Sequence, residues 1–466
     1  MYGRTHRIHL IGIGGSGMCG IAEVLLTMGY QVSGSDLKST EVTDRLVSLG
    51  GRVFAGHEAA NVEGAQVVVY STAVPADNPE MVEARRLGIP VIGRAEMLAE
   101  LMRMKYGIAV GGAHGKTTTT SMVAAVLARG GLDPTVVVGG RLRALGTHAR
   151  LGHGQFLVAE ADESDGSFLR LSPAVSVITN VDREHLDHYG GLEEVRQAFV
   201  YFANRIPFYG VTVLCVDDPE VRGMLHGVTK RTLLYGTRPE AGVRAEGVEL
   251  RPHGSRFRVS RHGVVLGEIE LRIPGRHNVL NALAAVAVGL EVEVGFAHIA
   301  EALATFPGVS RRFETRGEAA GVRVVDDYGH HPTEISATLA AARGLGGRVL
   351  VLFQPHRYSR TQALRREFGS CFVEADRVWV LDIYAAGEAP IPGISARTVV
   401  ESAREQGATH VGEAGPAAAA VAAAVAEARP GDTVLTLGAG DVWKLGDEVL
   451  RQLGAPLPKV TAGGTR

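Results

Sequence analysis

The chain has 466 residues, of which 45% are hydrophobic, so on a prior of roughly 150 residues per domain it can form about three domains with sizeable cores. Its net charge of -2 gives no electrostatic reason to expect a nucleic-acid or acidic-lipid partner. No apolar stretch reaches the roughly 18 residues that a membrane-spanning helix needs, and the N-terminus has no apolar signal segment.

The three cysteines, Cys19, Cys215 and Cys371, lie far apart in the sequence and have no metal-binding spacing. We expect three buried thiols in a reducing compartment, and therefore a cytoplasmic protein. A weak homo-oligomer is compatible with the sequence.

A dinucleotide-binding pattern opens the chain. The apolar segment from His6 to Gly12 predicts a strand, which leads through the pattern G-x-G-x-x-G at residues 12–17 into a predicted helix. A second predicted strand ends at Asp36. The pattern places nucleotide phosphates at the helix N-terminus but does not specify the nucleotide. Asp36 is a ligand of a ribose or of another nucleoside group, or a solvated turn acid.

Another predicted strand, ending at Tyr70, is followed by the polar pair Ser71 and Thr72. Open α/β sheets bind ligands at the carboxyl ends of their strands, so we expect this pair to lie at the binding edge. A helix predicted from Ala95 to Met104 closes the first domain.

The second glycine-rich turn follows a predicted strand that ends at Val110 and precedes a helix that begins at Thr117. It resembles the phosphate-binding pattern G-x-x-x-x-G-K-[ST], except that Val110 stands in place of the first glycine. Backbone N–H groups and the helix dipole favour phosphate oxygens in such a turn. Lys116 would contact the β- and γ-phosphates, and the Thr117 hydroxyl would bind Mg²⁺.

Polar residues directly follow each of the next two predicted strands. The first is followed by the run Glu160 to Asp165, whose hard oxygens beside a phosphate loop suit Mg²⁺, with a solvated acidic turn as the alternative. The second ends at Ile178 and leads into a loop with His185 and His188. Either ring could meet a metal or a phosphate, or serve only the structure.

Alternating apolar residues from Gly247 to Ile273 predict antiparallel strands. The following apolar helix, predicted to end at Leu290, carries Asn278 and Asn281 one turn apart. The two amides form a base-reading pair, or Asn278 caps the helix.

Beyond a Pro-Gly hinge at residues 307–308, four buried-strand patterns alternate with helical patterns and predict another parallel sheet. Each of these strands ends in a polar cluster, and the clusters span residues 326–334, 354–360, 382–388 and 438–441. The predicted fold class is therefore α/β in three domains, at residues 1–105, 106–309 and 310–466.

In order, these motifs closely resemble those of the Mur ligases, from Ile8 to Asp441. The segments that carry the resemblance are Gly12 to Met18, Ala113 to Thr119, Glu160 to Asp165, the His185 loop, Pro274 to Ala282, Arg311 to Phe313, Asp326 to Glu334, Phe353 to Thr361 and Asp382 to Glu388. The family uses the form G-x-x-G-K-T, which accounts for Val110. Several members use a carbamylated lysine as a metal bridge, but this chain has no lysine between Lys116 and Lys230.

The resemblance implies a Rossmann-like domain for a UDP-sugar, a central P-loop ATPase domain and a C-terminal Rossmann-like domain for an amino acid. It implies an ADP-forming ligase of peptidoglycan synthesis that joins L-alanine to the carboxylate of UDP-N-acetylmuramate through an acyl phosphate. A ligase that recycles a preformed tripeptide onto the same acceptor is the alternative. The first domain alone would also permit a nicotinamide oxidoreductase, but the phosphate loop argues against it.

The resemblance also implies roles for individual residues. Those for ATP and Mg²⁺ are Gly112, Ala113, His114, Gly115, Lys116, Thr117, Thr118, Glu160, His185, Asn278, Asn281, Arg312 and Asp327, with Thr117, Glu160 and His185 as metal ligands and Lys116, Glu160, His185 and Arg312 as catalytic residues. Those for the UDP-sugar are Gly14, Gly15, Ser16, Gly17, Asp36, Ser71 and Thr72. Those for alanine are Tyr328, His330, His356, Arg357 and Arg360.

Overall fold

The structure is a computed structural model that describes residues 6–71, 73–142, 147–184 and 188–454. Thr72 and His185, which were selected from the sequence, lie outside the described residues. The chain divides into two compact units. The first comprises residues 1–248, 256–272 and 278–310, and the second comprises residues 249–255, 273–277 and 311–466. The domain limits given above stay a prediction.

The first unit begins with a parallel sheet of five short strands. The strands are β1 Arg7–Ile11, β2 Gln31–Asp36, β3 Arg52–Ala55, β4 Val67–Tyr70 and β5 Val91–Gly93, in the order β3-β2-β1-β4-β5. The helices are α1 Ser16–Thr27, α2 Glu41–Ser48, α3 Pro79–Arg86 and α4 Arg94–Arg103. Because the strands are parallel, their carboxyl ends share one edge of the sheet, and the turn before α1 lies at that edge.

A ten-stranded sheet lies mostly in the same unit. Its strands are β6 Tyr106–Gly111, β7 Thr135–Leu142, β8 Thr147–Arg150, β9 Phe156–Glu160, β10 Val175–Ile178, β11 Val211–Cys215, β12 Thr232–Gly236, β13 Val243–Arg251, β14 Gly254–Arg261 and β15 Val264–Leu271, in the order β15-β14-β13-β12-β11-β10-β6-β9-β7-β8. The helices that follow β6 are α5 Lys116–Arg129, α6 Leu192–Ala203, α7 Pro219–Met224, α8 Arg276–Glu291 and α9 Phe296–Ala304. Turns of two residues join β13, β14 and β15, and only antiparallel neighbours permit such short connections.

The second unit is built on a six-stranded sheet in the order β16-β17-β21-β18-β19-β20, formed by β16 Glu314–Ala319, β17 Val322–Asp327, β18 Val349–Phe353, β19 Arg377–Val380, β20 Val411–Glu413 and β21 Thr433–Leu437. Its helices are α10 Pro332–Arg343, α11 Tyr358–Ala363, α12 Arg365–Ser370, α13 Ala396–Glu405, α14 Ala417–Glu427 and α15 Trp443–Gln452. Only the edge pair β16 and β17 is antiparallel among the pairs of this sheet in the described residues.

Strand β18 shows why the sheet of the second unit needs helices on both faces. Val349, Val351 and Phe353 belong to one apolar cluster, whereas Leu350 and Leu352 belong to another. A strand with apolar side chains on both faces is stable only when both faces are covered, as in wound parallel sheets. The predicted α/β fold class with three parallel-sheet regions is confirmed, and the three cysteines are buried as expected.

Six strands of the described chain were not identified from the sequence: the edge strands β3, β8, β16 and β20, and the interior strands β7 and β12. Strand β3 is half exposed, β20 has only three residues, and β16 carries Glu314, Arg316 and Glu318 on an edge. Edge strands bury little apolar surface, so their sequences lack the apolar runs that reveal the central strands. Among the described residues, no helix combines the length and the hydropathy needed to cross a lipid bilayer.

Candidate active site

The turn between β6 and α5, residues 112–115, is called the phosphate turn below. It requires glycine at two positions. Gly112 and Gly115 have φ angles of 127° and 79°, in the left-handed region that glycine tolerates best. A Cβ atom on Gly112 would lie 2.1 Å from the Thr179 hydroxyl oxygen, and one on Gly115 would lie 2.6 Å from Asn281 Oδ1. The turn is therefore shaped both by its own conformation and by close neighbours.

The residues that follow β10 hold this turn in place. The backbone N–H of His114 donates to Asn180 Oδ1 at 2.8 Å, and the Thr179 hydroxyl donates to the His114 carbonyl at 2.7 Å. The His114 ring also contacts the Asp182 carboxylate, with 2.9 Å between Nε2 and Oδ2. Thr179, Asn180 and Asp182 were not selected from the sequence, although the polar break after the strand was visible there.

Lys116 is held against the turn. Its ammonium group donates to the carbonyls of Gly112 and Ala113 at 2.7 and 3.1 Å and to Glu163 Oε1 at 2.8 Å. Burial lowers the pKa of Lys116, but the carboxylates of Glu163 and Asp162 outweigh this effect and hold the pKa above its ordinary value. The turn therefore carries a fixed positive charge. Glu163, whose side chain is 2% exposed, was not selected as its partner.

Glu160 fits the predicted magnesium site. It ends β9, which pairs in parallel with β6, and the register sets Glu160 beside Val110, just before the phosphate turn. Thr117 is the second residue of α5, at the end of the same turn. A carboxylate and a hydroxyl are the hard oxygen ligands that Mg²⁺ prefers. These two residues would hold the ion.

The two asparagines of α8 form a chain of hydrogen bonds with a threonine of α5. The Thr119 hydroxyl donates to Asn281 Oδ1 at 3.2 Å, and Asn281 Nδ2 donates to Asn278 Oδ1 at 3.2 Å. Because α8 begins at Arg276, Asn278 is its third residue and does not occupy the capping position. Asn281 therefore links α8 to the phosphate turn and also orients Asn278.

Asp36 shapes the first glycine turn. Its Oδ2 atom accepts the backbone N–H of Gly14 at 2.9 Å, and a Cβ atom on Gly14 would lie 2.9 Å from the same oxygen. Asp36 is therefore half-buried and hydrogen-bonded to the first glycine turn, unlike a solvated turn acid. Gly15 and Ser16 lie where the turn becomes α1, whose N-terminus favours a phosphate.

Arg94, at the start of α4, adds a cation that the sequence analysis did not select. A Cβ atom on Gly17 would lie 2.7 Å from Arg94 Nη1, so the guanidinium group lies against the first turn of α1. Arg94 also approaches Asp162, with 3.5 Å between Nη2 and Oδ2. A cavity of about 130 Å³ is lined by Arg94, Tyr70, Arg170 and their neighbours. Ser71 directly follows Tyr70.

In the second unit, Arg312 lies in a strained segment. Arg311 and Phe313 on either side have φ angles of 59° and 50°, values that non-glycine residues rarely adopt. The Arg312 guanidinium contacts Glu334 at 3.2 Å and lies 5.1 Å from the centre of the Tyr328 ring. Such strain persists only where surrounding contacts enforce it, and it is typical of functional sites.

Asp327 supplies one of those contacts. Its carboxylate accepts the backbone N–H groups of Phe313 and Gly329, each at 2.7 Å. Burial raises the pKa of Asp327 to about 6, although Arg312 opposes the rise. Burial and the positive charge of Arg312 also lower the pKa of His277 to about 4, so this ring is neutral at pH 7.

Asp327 predicts a pH dependence of stability. Its pKa is about 6 in the folded chain and has a reference value of 3.8, so between these values the folded state retains a proton that the unfolded state loses. The free energy of unfolding should therefore fall as the pH rises from about 4 to about 6, by at most about 3 kcal/mol from this group. We expect Asp327→Asn to remove this part of the slope.

The measurement is denaturant unfolding at several pH values, followed by tryptophan fluorescence. Both tryptophans, Trp379 and Trp443, belong to the second unit, so the signal reports on the unit that contains Asp327. Asp441→Asn, at an exposed aspartate of the same unit, is the control. Equal slopes for the original chain and Asp327→Asn would contradict the prediction.

The residues predicted to bind alanine lie close together in the second unit. The His330 and His356 rings are 5.5 Å apart, and Arg360 Nη1 donates to His356 Nδ1 at 3.1 Å. Tyr384, which the sequence analysis did not select, stacks on His356 with centroids 5.7 Å apart. Arg357 has a φ of 68°, another strained position, and its N–H donates to the Tyr384 carbonyl at 2.9 Å.

Two glycine turns at helix N-termini and parallel α/β sheets define a nucleotide-binding α/β protein. Three family models match the chain in order: the Mur ligase family catalytic domain at residues 7–106, the Mur ligase middle domain at 110–289, and the Mur ligase glutamate ligase domain at 311–440. The chain belongs to the Mur ligase family.

Two sequence relatives and one solved structure carry the same enzyme name. The chain is 57% identical to UDP-N-acetylmuramate--L-alanine ligase of Syntrophotalea carbinolica, over 97% of this chain and 99% of the relative. It is 56% identical to the enzyme of the same name from Geobacter sp. strain M21, over 98% and 99%. Its structure resembles that of UDP-N-acetylmuramate-alanine ligase from Thermotoga maritima, with a TM-score of 0.78 and 30% identity over 96% of this chain and 98% of that one.

Proposed function

We propose that this chain uses ATP to join the amino group of L-alanine to the carboxylate of UDP-N-acetylmuramate, releasing ADP and phosphate, in the synthesis of peptidoglycan precursors. The observation that carries the proposal is the full-length identity of 56–57% to ligases of that name. The fixed cation in the phosphate turn agrees with ATP as the donor. Because ATP is an intracellular substrate, we expect the reaction to take place in the cytoplasm.

The reaction needs activation because a carboxylate is a poor electrophile. A carboxylate oxygen first attacks the γ-phosphorus of ATP, the bond to the bridging oxygen breaks, and ADP leaves. The alanine nitrogen then attacks the acyl carbon of the resulting acyl phosphate, inorganic phosphate leaves, and the nitrogen loses a proton. Both partners in the first step are anions, so the protein must mainly position them and neutralise charge.

The first unit supplies the groups for the triphosphate. The backbone of the turn from Gly112 to Gly115 surrounds the phosphates, Lys116 neutralises their charge, and Thr118 lies in the first turn of the helix behind them. Thr117 and Glu160 would hold Mg²⁺, and His185 a second ion. The metal would supply positive charge against the phosphate oxygens. Asn278 and Asn281 bind the adenine, for which their hydrogen-bonded amides are already oriented.

In the second unit, Arg312 stabilises the negative charge that develops on the γ-phosphate, and Asp327 accepts hydrogen bonds from the ribose. Arg312 is a permanent cation whose partner, Glu334, fixes its position. Both Asp327 oxygens already accept one backbone N–H each, and each retains a second lone pair for a ribose hydroxyl.

The first glycine turn binds the diphosphate of the UDP-sugar. Gly14, Gly15, Ser16 and Gly17 provide the turn and the start of α1, and Asp36, Ser71 and Thr72 would bind the uridine. Arg94 supplies the positive charge that a diphosphate requires, because it lies against Gly17.

Alanine binds among Tyr328, His330, His356, Arg357 and Arg360. Its carboxylate requires a cation with paired donors, which an arginine provides. Arg360 is the best candidate because its contact with His356 already orients the guanidinium group.

ADP release across a panel of amino acids, with and without UDP-N-acetylmuramate, tests the proposal. We expect release to require both UDP-N-acetylmuramate and alanine and to be several-fold slower with glycine or serine. Release with the tripeptide in place of alanine would instead favour the recycling ligase, an alternative that the names of the two relatives described above do not favour. Release that is independent of any amino acid would contradict both.

A further inference from the structure

A buried polar cluster lies on the first sheet, behind the glycine turn that binds the UDP-sugar in the proposed function. We call it the Glu80 cluster, and it consists of His9, Ser35, His57, Asn61 and Glu80. Glu80, His9 and Ser35 have no solvent exposure. Burying a carboxylate costs free energy unless the carboxylate is paired and hydrogen-bonded, so the contacts of this cluster must offset that cost.

Glu80 uses both carboxylate oxygens within the cluster. Oε2 accepts the Ser35 hydroxyl at 2.6 Å and lies 3.0 Å from His57 Nδ1. Oε1 accepts Asn61 Nδ2 at 2.7 Å and lies 3.4 Å from His9 Nε2. Burial raises the pKa of Glu80, but His9, Ser35 and Asn61 together outweigh it, so the pKa lies below its ordinary value. The group is therefore a carboxylate at neutral pH.

The position of Glu80 near the N-terminus of α3 also stabilises its carboxylate. Glu80 is the second residue of α3, and Asn78 caps the helix by accepting the Glu80 N–H at 2.9 Å. The N-terminus of a helix favours a negative charge. Glu80 is thus anchored by its helix, while its carboxylate extends to the end of β2.

The end of β2 carries the acceptors that form the glycine turn. The Ser35 carbonyl accepts the N–H groups of Gly12 and Ile13 at 2.8 and 3.0 Å. The next residue, Asp36, accepts the Gly14 N–H through its carboxylate at 2.9 Å, and its carbonyl accepts the Gly56 N–H at 2.8 Å. Ser35 therefore holds the turn with its backbone and is itself held by Glu80 through its side chain.

We propose that Glu80 is a positioning residue for the sugar nucleotide: through Ser35 it fixes the end of β2, and with it the first glycine turn and Asp36. The proposal rests on the proposed function in one respect, namely that this turn binds the UDP group. Glu80 touches no substrate. Its effect should therefore appear in the affinity for UDP-N-acetylmuramate and not in the chemistry of the ATP site.

Glu80→Gln tests this inference, because glutamine keeps the size of the side chain but loses the charge and one acceptor. We expect the Kd for UDP-N-acetylmuramate, measured by calorimetry, to rise roughly tenfold. The KM for UDP-N-acetylmuramate should rise in parallel, while the KM values for ATP and alanine stay within about twofold of the original. Glu83→Gln, at a partly exposed acid on the same helix that pairs with Arg86, is the matched control and should change none of these values.

Ser35→Ala provides a second test that leaves Glu80 intact. It removes only the hydroxyl link and leaves the carbonyl that holds the turn, so it should raise the same Kd. If the two residues act through one another, the double variant Ser35→Ala and Glu80→Gln should bind no more weakly than the worse single variant. Additive losses would overturn the coupling that the inference requires.

Two further results would decide against the inference. A lower melting temperature for Glu80→Gln with an unchanged Kd would give Glu80 a role in stability alone, and an equal rise of all three KM values would remove its specific link to the sugar nucleotide. Failure of the unaltered chain to bind UDP-N-acetylmuramate would instead reject the proposed function, so the two failures are distinguishable.

Discussion

Lys116→Ala is expected to lower kcat by at least about 10³-fold. The carbonyls of Gly112 and Ala113 hold the Lys116 ammonium group in the phosphate turn, and the variant loses this positive charge beside the ATP phosphates. The substitution also leaves Glu163 buried without its cation, which should destabilise the fold by about 3 kcal/mol. The double variant Lys116→Ala and Glu163→Gln removes that charge and should regain much of the stability, but no activity.

Steady-state kinetics and thermal unfolding of both variants separate the two effects. Lys444→Ala, at a mostly exposed lysine paired with Asp441, is the control and should change neither. Activity that returned together with stability in the double variant would show that Lys116 serves the fold and not the phosphates. That result would remove the role proposed for it.

Arg360→Ala is expected to raise the KM for alanine by roughly 10² to 10³-fold, the effect of removing one partner of a buried charge-assisted pair. The KM for ATP should change by less than about threefold, since Arg360 has no proposed contact with the nucleotide. The kcat at saturating alanine should fall much less than kcat/KM, because the lost interaction is made mainly in substrate binding.

Arg365→Ala is the matched control, since Arg365 lies on the next helix and pairs with Glu405 at the surface. It should leave both KM values unchanged. Equal increases in the KM values for alanine and ATP after Arg360→Ala would count against the assignment, because they would indicate a general disturbance of the second unit. His356→Ala, which removes the acceptor of Arg360 Nη1, should give a smaller increase for alanine only.

The fold was accessible from the sequence because its central strands are buried on both faces. Such strands appear as continuous apolar runs, and β10, β18 and β21 were all recognised in this way. Their polar ends indicated the functional edge, since parallel strands place their carboxyl ends together. Edge strands such as β16 carry charged residues and short apolar stretches, and they were missed for that reason.

Residues of the candidate site could be predicted from the sequence only where a motif specifies both residue type and spacing. Lys116 and Asp36 follow from glycine-rich turns whose geometry is local. Their partners do not, because Glu163 is 47 residues from Lys116 and Glu80 is 45 residues from Ser35. No local pattern relates residues at such separations, so Glu163, Arg94 and Tyr384 received no role until the fold placed them.

By itself, the sequence determined the α/β class, the two glycine turns and the order of the polar clusters, since each of these depends on neighbouring residues and on the hydrophobic periodicity of one segment. Only the tertiary structure decided which acid neutralises Lys116, which residues after β10 hold the phosphate turn, and how Ser35 links Glu80 to Gly12 and Ile13. The physical reason is that hydrogen bonds and ion pairs act over about 3 Å. The strands that bring these groups within that distance are set by the packing of the whole sheet.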